Sequence, residues 1–216
     1  MTSAVDDRQA SGLPLAETRR QGSRKSAIVL IDVINDLDFP EGDDLAEHAL
    51  PMARSIAAMK RESRVRDVPV IYVNDNFGRW QSDLKSQLEY CLRMESRGRE
   101  IADLLKPEDD DYFVLKPKHS GFFATTLDVL LQHLGCSSLI LAGVATDICV
   151  LFTANDAYMR GYDVAVPADC VAANTREESD RALKMMQKVL KADVRLWKQL
   201  SPFETENIAA ANSRRA

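Results

Sequence analysis

The run Ser138-Leu-Ile-Leu-Ala-Gly-Val144 leads through the turn Ala145-Thr-Asp-Ile148 to Cys149. Val150-Leu-Phe-Thr-Ala-Asn-Asp-Ala-Tyr-Met-Arg160 follows, closed by Gly161. The first run is apolar at successive positions, as a strand buried on both faces must be, and the last reads as a helix with a glycine stop. A strand feeding directly into a helix is the unit of an α/β fold. Working outward, further strand-like runs fall at 27–31, 70–73, 112–115, 164–166 and 194–197, bringing the total to six. Helical patterns lie between them. Leu127, Leu130, Leu131 and Leu134 share one helix face, with Thr125 and Thr126 available as caps and Gly135 as the stop. Thr175-Arg-Glu-Glu178 is a capping-box pattern, and Ala182, Met186, Val189 and Leu190 supply the apolar stripe after it. Met52, Ile56 and Met59 mark another helix, with Pro51 tolerable only near its first turn, and 83–105 carries a longer, polar one. The alternation predicts a three-layer α/β/α sandwich, Rossmann-like, with a six-stranded, mostly parallel sheet.

With 216 residues, 45% hydrophobic and 28% charged, the chain has material for one sizeable core. A net charge of -5 argues against a general nucleic-acid surface, which needs excess Lys and Arg. No apolar stretch approaches a membrane span, so no membrane partner is expected. The four cysteines, Cys91, Cys136, Cys149 and Cys170, are scattered without CxxC spacing, which fits a reducing cytoplasm. Residues 1–25 read as a flexible arm without a secretory h-region, 26–206 as the domain, and 207–216 as a loose tail. Glu108-Asp-Asp-Asp111 reads as a solvated loop before the third strand.

In open parallel sheets, ligands bind outside the carboxyl ends of the strands, near the point where strand order reverses. Asp32 ends the first strand, Lys116 ends the third, and Cys149 lies just past the fourth. Taken singly, Asp32 could cap a loop, Lys116 could snorkel from the sheet edge and Cys149 could pack. Taken together they form an acid, base and nucleophile set. A helix N-terminus and a neighbouring ammonium both favour thiolate over thiol, which makes Cys149 the expected nucleophile.

Three segments carry a resemblance: Ala27-Ile-Val-Leu-Ile-Asp-Val-Ile-Asn-Asp36, Lys116-Pro-Lys-His-Ser-Gly-Phe122 and Gly143-Val-Ala-Thr-Asp-Ile-Cys-Val150. They resemble the signature blocks of the isochorismatase-like cysteine hydrolase superfamily, and the likeness continues through Asp169-Cys-Val-Ala-Ala173 to cover 26–197. The resemblance implies a six-stranded parallel sheet with helices on both faces. It implies that Asp32 is general base to the Cys149 thiol, that Lys116 supports the pair with its charge, and that a thioester forms and is hydrolysed by water. It further implies a cis peptide between Val144 and Ala145, and backbone N–H groups of Ala145 and Cys149 facing the oxyanion.

The departures bear on substrate. Many members have Gln two residues after the catalytic Asp, where this chain has Ile34. Nicotinamidase members hold a divalent metal with an Asp-x-His pair and further histidines. Here the corresponding strand end is Asn74-Asp-Asn-Phe-Gly-Arg-Trp80, and His48, His119 and His133 lack ligand spacing, so no metal and no cofactor are expected. Phe39, Asn74, Trp80, Phe122 and Phe123 flank the strand ends and are the candidate pocket residues, with core packing the competing reading for the aromatics. His119 either lines the pocket mouth or sits on an exposed loop. Cys136 and Cys170 read as buried structural thiols, and Cys91 lies on a polar helix open to a partner subunit.

The expected activity is metal-independent cleavage of a C–N bond in a small amide, carbamoyl or ureido compound. The alternatives are vinyl-ether hydrolysis of isochorismate, whose members typically lack the nucleophilic Cys, and a non-catalytic α/β binding module. The expected partners are a small-molecule substrate and further copies of the chain in a homo-oligomer.

Overall fold

The computed structural model describes residues 25–75 and 83–204. Most of the predicted arm, the tail from 207 onward and Trp80 lie outside the described residues, while Lys25, assigned to the arm, is the first residue of β1. The strands are β1 (Lys25–Ile31), β2 (Val70–Asp75), β3 (Tyr112–Lys116), β4 (Cys136–Val144), β5 (Asp163–Ala165) and β6 (Val171–Ala172). All pairings are parallel, in the order β3-β2-β1-β4-β5, with β6 paired to β4 beyond the end of β5. The helices are α1 (Gly42–Val65), α2 (Leu84–Cys91), α3 (Arg99–Leu104), α4 (Leu127–His133), α5 (Leu151–Met159) and α6 (Arg176–Met185).

Strand residues alternate between two apolar layers. Ile28, Leu30, Tyr72, Ile140 and Ala142 pack on the side of α1 and α3, and Ala27, Val29, Ile31, Ile71, Val73, Leu139 and Leu141 on the side of α4, α5 and α6. This alternation is why β1 and β4 read as continuous apolar runs: every residue meets a helix on one face or the other. Truncating one of the fully buried Leu or Ile side chains to Ala costs about 2–5 kcal/mol.

The sheet departs from expectation at its far edge. Residues 194–197 form no strand; the contact there is a single parallel bridge from Asp193 to Ala165, and Trp197–Gln199 is a short 3-10 turn. The sixth strand is instead the two-residue β6, too short to show a period. The helix expected over 83–105 divides into α2 and α3 around Gly98, where a Cβ would collide with the Asn35 carbonyl. Cys91, expected to be open to a partner, is buried against the α1 layer. Pro51 lies well inside α1 rather than in its first turn. Pro51 and Glu47 are both exposed, so the Glu47 carbonyl that lacks its helical donor is open to water.

The capping box at Thr175 is present, Thr175 Oγ1 accepting from the Glu178 N–H and Glu178 accepting from the Thr175 N–H. Beyond α6 the chain widens into a π-helical turn over Met186–Leu190, which swings Val189 outward to 57% exposure instead of the predicted buried face.

The acidic run 108–111 is not merely solvated. Asp111 pairs with the buried Lys60 at 2.7 Å, and Glu108 and Asp110 pair with Arg64 at 2.7 and 3.0 Å, tying the loop before β3 to α1. No helix among the described residues is long and apolar enough to cross a membrane.

Candidate active site

The chain lays β1, β2 and β3 outward in one direction and then returns to set β4 on the other flank of β1. The reversal therefore lies between β1 and β4, and the residues that follow those two strands, Asp32 and the turn to Cys149, flank the resulting crevice. Gly143 admits this close approach: its φ of +120 suits glycine, and a Cβ there would collide with the Ile31 carbonyl. The Val144–Ala145 peptide is cis. A π-helical turn over Thr146–Val150 then runs without a break into α5, with the Leu151 N–H on the Thr146 carbonyl and the Val150 N–H on the Ala145 carbonyl. Thr146 Oγ1 and Ser179 Oγ meet at 2.9 Å, anchoring the turn on α6.

Asp32 takes φ +51, a left-handed conformation uncommon outside glycine and found at over-determined, functional positions. Its N–H donates to the Val73 carbonyl, and its Oδ1 accepts from the Asp75 N–H at 2.8 Å, so the end of β2 holds both its backbone and its carboxylate. Lys116, fully buried, reaches across the end of β2 from β3. Its Nζ lies 2.9 Å from Asp32 Oδ2, 3.6 Å from Cys149 Sγ and 3.6 Å from Asp75 Oδ2. Asp32, Lys116 and Cys149, far apart in the chain, thus meet in one cluster.

The electrostatics correct one expectation. Burial, and then the Asp32 carboxylate, push the Cys149 thiol up to about 12, against the pull of Lys116. This favours a thiol at rest: the ammonium is already committed to Asp32 at the shorter distance, and burial leaves a second anion poorly solvated. Burial likewise raises Asp32 above the usual carboxylate range, with Lys116 and the hydrogen bond from Cys149 pulling it back. Burial opposes the charge on Lys116, but Asp32, Cys149 and Asp75 outweigh it and hold the ammonium protonated. A base made stronger by desolvation, hydrogen-bonded to a neutral thiol beside a fixed cation, is set to take the thiol proton as the sulfur attacks.

The predicted pocket residues fall in different places. Asn74 is fully buried, and its Nδ2 donates to the Ile34 carbonyl at 2.7 Å while its Oδ1 has no partner among the described residues. It fastens β2 to the chain beyond Asp32. Phe122 is 5% exposed and packs on Tyr162 with the Arg160 guanidinium 4.8 Å above its ring, which makes it a residue of the core layer rather than an open wall. Phe123 is 56% exposed, and Phe39 is half-buried against the α1 layer. Ala145 and Cys149 stand at the start of the helix, where first-turn N–H groups lack intrahelical partners.

Two residues of the cluster lay outside the predicted set. Asp75 ends β2 as Asp32 and Lys116 end or follow theirs, and that shared position was the available signal. His119 is exposed, and its Nδ1 lies 3.8 Å from Cys149 Sγ. The other three cysteines are buried, and burial raises each of their thiols. Among the described residues no group of three or more His, Cys, Asp or Glu is arranged to hold a metal ion.

Comparison with known proteins agrees with this architecture. Residues 26–198 match the family model described as Isochorismatase domain. The chain is 41% identical over 174 residues to the uncharacterized isochorismatase family protein YaaI of Bacillus subtilis strain 168, covering 81% of this chain and 95% of that one. A shorter segment of 69 residues is 42% identical to the ureidoacrylate amidohydrolase RutB of Methylorubrum extorquens, covering 32% of this chain and 28% of that protein. Among solved structures, N-carbamoylsarcosine amidase from Thermoplasma acidophilum superposes with a TM-score of 0.63 at 28% identity, over 82% of this chain and 99% of its own.

Proposed function

The chain belongs to the isochorismatase family and is a hydrolase, and from that premise we propose that it cleaves a C–N bond of a small amide, carbamoyl or ureido compound through a Cys149 thioester. The observation that carries the reading is the convergence of one cation on a carboxylate and a thiol, Lys116 Nζ lying 2.9 Å from Asp32 and 3.6 Å from Cys149. The names of two relatives, an amidohydrolase and an N-carbamoyl amidase, support the bond class.

In this reading the S–H bond breaks as its proton passes to Asp32, and a lone pair of the resulting thiolate forms a bond to the substrate carbonyl carbon. Charge moves from carboxylate to sulfur and on to the carbonyl oxygen while Lys116 stays positive, so the buried cluster never holds an additional net charge. The backbone N–H groups of Ala145 and Cys149 receive the oxyanion. Collapse of that intermediate breaks the C–N bond, and the proton on Asp32 goes to the departing nitrogen. Water then adds to the thioester, giving one proton to Asp32. The C–S bond breaks, the acid leaves, and the proton returns from Asp32 to sulfur.

The test is turnover of a panel of small amides, carbamoyl and ureido compounds by the wild type and by Cys149→Ala, with intact-mass detection of an acyl adduct during steady state. The expected result is an adduct on the wild type and loss of turnover in the variant. Amide hydrolysis that persists after Cys149→Ala overturns the reading. Iodoacetamide should also modify Cys149 ahead of Cys91, Cys136 and Cys170, which are 1%, 6% and 0% exposed.

A further inference from the structure

The cluster at Cys149 has a second face. Lys116 and Asp32 approach the sulfur from the buried floor, whereas His119 approaches from the exposed side with Nδ1 at 3.8 Å, within hydrogen-bond reach of a sulfur atom. Its position is built. Gly121 donates its N–H to Thr153 Oγ1 at 3.0 Å, and Thr153 Oγ1 donates in turn to the Cys149 carbonyl at 2.7 Å. Ser120 Oγ hydrogen-bonds Asp156 on the same helix, and the His119 ring rests against Phe152, centroids 5.5 Å apart. The short loop after Lys116 is thus latched at three points to the helix that begins at the nucleophile, which fixes the imidazole relative to the sulfur.

We propose that His119 is a fourth catalytic residue, donating its Nδ1–H to the Cys149 sulfur whenever that sulfur carries negative charge. This rests on the thioester reading and deepens it. Once the thiol proton has passed to Asp32, the sulfur bears charge and two lone-pair directions are open. Lys116 Nζ at 3.6 Å serves one from below and His119 Nδ1–H serves the other from the solvent side. The same pair of donors receives the sulfur again when the C–S bond of the thioester breaks. His119 transfers no proton in either step; its Nδ1–H acts only as a hydrogen-bond donor. Among the described residues the charged groups facing this sulfur are Asp32 and Lys116, with Asp75 beyond Lys116. Within this set only Lys116 is a cation, and it is shared between carboxylate and sulfur. A second donor committed to the sulfur removes that competition at the moment of attack.

The geometry makes a discriminating test available, because the side-chain amide of Asn places an N–H near the Nδ1 position of His and that of Gln places it near Nε2. The measurement is the second-order rate of iodoacetamide alkylation of Cys149 at fixed pH, in the full chain without substrate. A hydrogen bond to a charged group is worth about a tenfold change in thiolate population, and the compensating rise in intrinsic nucleophilicity trims this to about threefold in rate. We expect His119→Ala and His119→Gln to slow alkylation by about that factor, and His119→Asn to restore it to near the wild-type rate. Against an amide substrate, kcat should fall about tenfold in His119→Ala with KM unchanged, the signature of a contact made in the transition state alone. Alkylation rates equal in wild type and His119→Ala, or equal in the Asn and Gln variants, overturn the proposal. The alkylation comparison needs no substrate, so it judges the histidine even if Cys149→Ala shows that amide cleavage does not pass through a thioester.

Discussion

Two lysines lie buried at opposite ends of the same strand, and their surroundings differ in kind. Lys60 meets the loop just before β3, where its Nζ has the Lys106 carbonyl at 2.8 Å, Tyr72 Oη at 2.9 Å and Asp111 at 2.7 Å. Tyr72 Oη donates its own hydrogen bond to the Leu105 carbonyl, and burial together with Asp111 and Glu108 raises its phenol. Each of the three ammonium protons has a close acceptor. Lys116, at the other end of β3, has among the described residues one close acceptor, Asp32 at 2.9 Å, and two groups at 3.6 Å, Cys149 and Asp75. A saturated ammonium can only hold structure in place. One with a single short contact and a sulfur slightly out of reach can follow negative charge as it moves from carboxylate to thiolate, and that freedom is what a reaction requires.

The sharpest way to break this contrast is to neutralise each lysine in turn. Lys116→Met should lower kcat/KM by about 10³-fold, because the transferred charge loses the buried cation that faces it, whereas Lys60→Met should leave it within about twofold; steady-state kinetics on any accepted amide would show it. Stability should reverse the order. Lys60→Met leaves the Asp111 carboxylate, its side chain 4% exposed, without its closest cation and, among the described residues, with only Arg64 at 3.6 Å and the Glu108 N–H, and should cost about 3 kcal/mol in urea unfolding. Adding Asp111→Leu should recover most of that loss, since an apolar pair needs no counter-charge. Lys116→Met should cost less, because Asp32 is already biased toward its protonated form and can take up a proton instead of remaining an isolated anion.

The pH profile probes the same asymmetry. The base is active as carboxylate, and burial raises its folded pKa, so activity should be present above that raised value and lost as pH falls through it. The acid limb of kcat/KM should therefore lie above the ordinary Asp value of about 3.9. A limb at or below that value would show that Lys116 outweighs burial. The smallest effect belongs to the rim of the Lys60 network. Arg64, about a third exposed and paired with Glu108 and Asp110, should cost less than about 1 kcal/mol on replacement by Ala, again read by urea unfolding.

The parts of the molecule that were legible in the sequence were those with enough residues to show a period. β1 to β4, the α4 stripe and the capping box at Thr175 each repeat a local rule several times over. The sixth strand was assigned to 194–197 because Val194-Arg-Leu-Trp197 has strand composition, while the actual partner of β4, Val171–Ala172, is too short to carry a pattern. Helix 83–105 was read as one, but α2 ends at Cys91 and α3 begins only after Gly98, where the carbonyl of Asn35, distant in sequence, leaves no room for a Cβ. The acidic run at 108–111 looked solvated for the same reason: its partners Lys60 and Arg64 belong to α1.

By itself the amino-acid order determined a parallel sheet enclosed by helices and the three strand-end positions, Asp32, Lys116 and Cys149, from which a reaction could be argued, since periodicity and strand ends are local properties. Only the tertiary structure decided that the lysine of β3 reaches past β2 to the carboxylate after β1, that Asp75 and His119 join the cluster, that Phe122 belongs to the core, and that the sulfur rests as a thiol. Those outcomes depend on distances between groups far apart in the chain and on the exclusion of water around them, and neither quantity exists until the sheet is assembled.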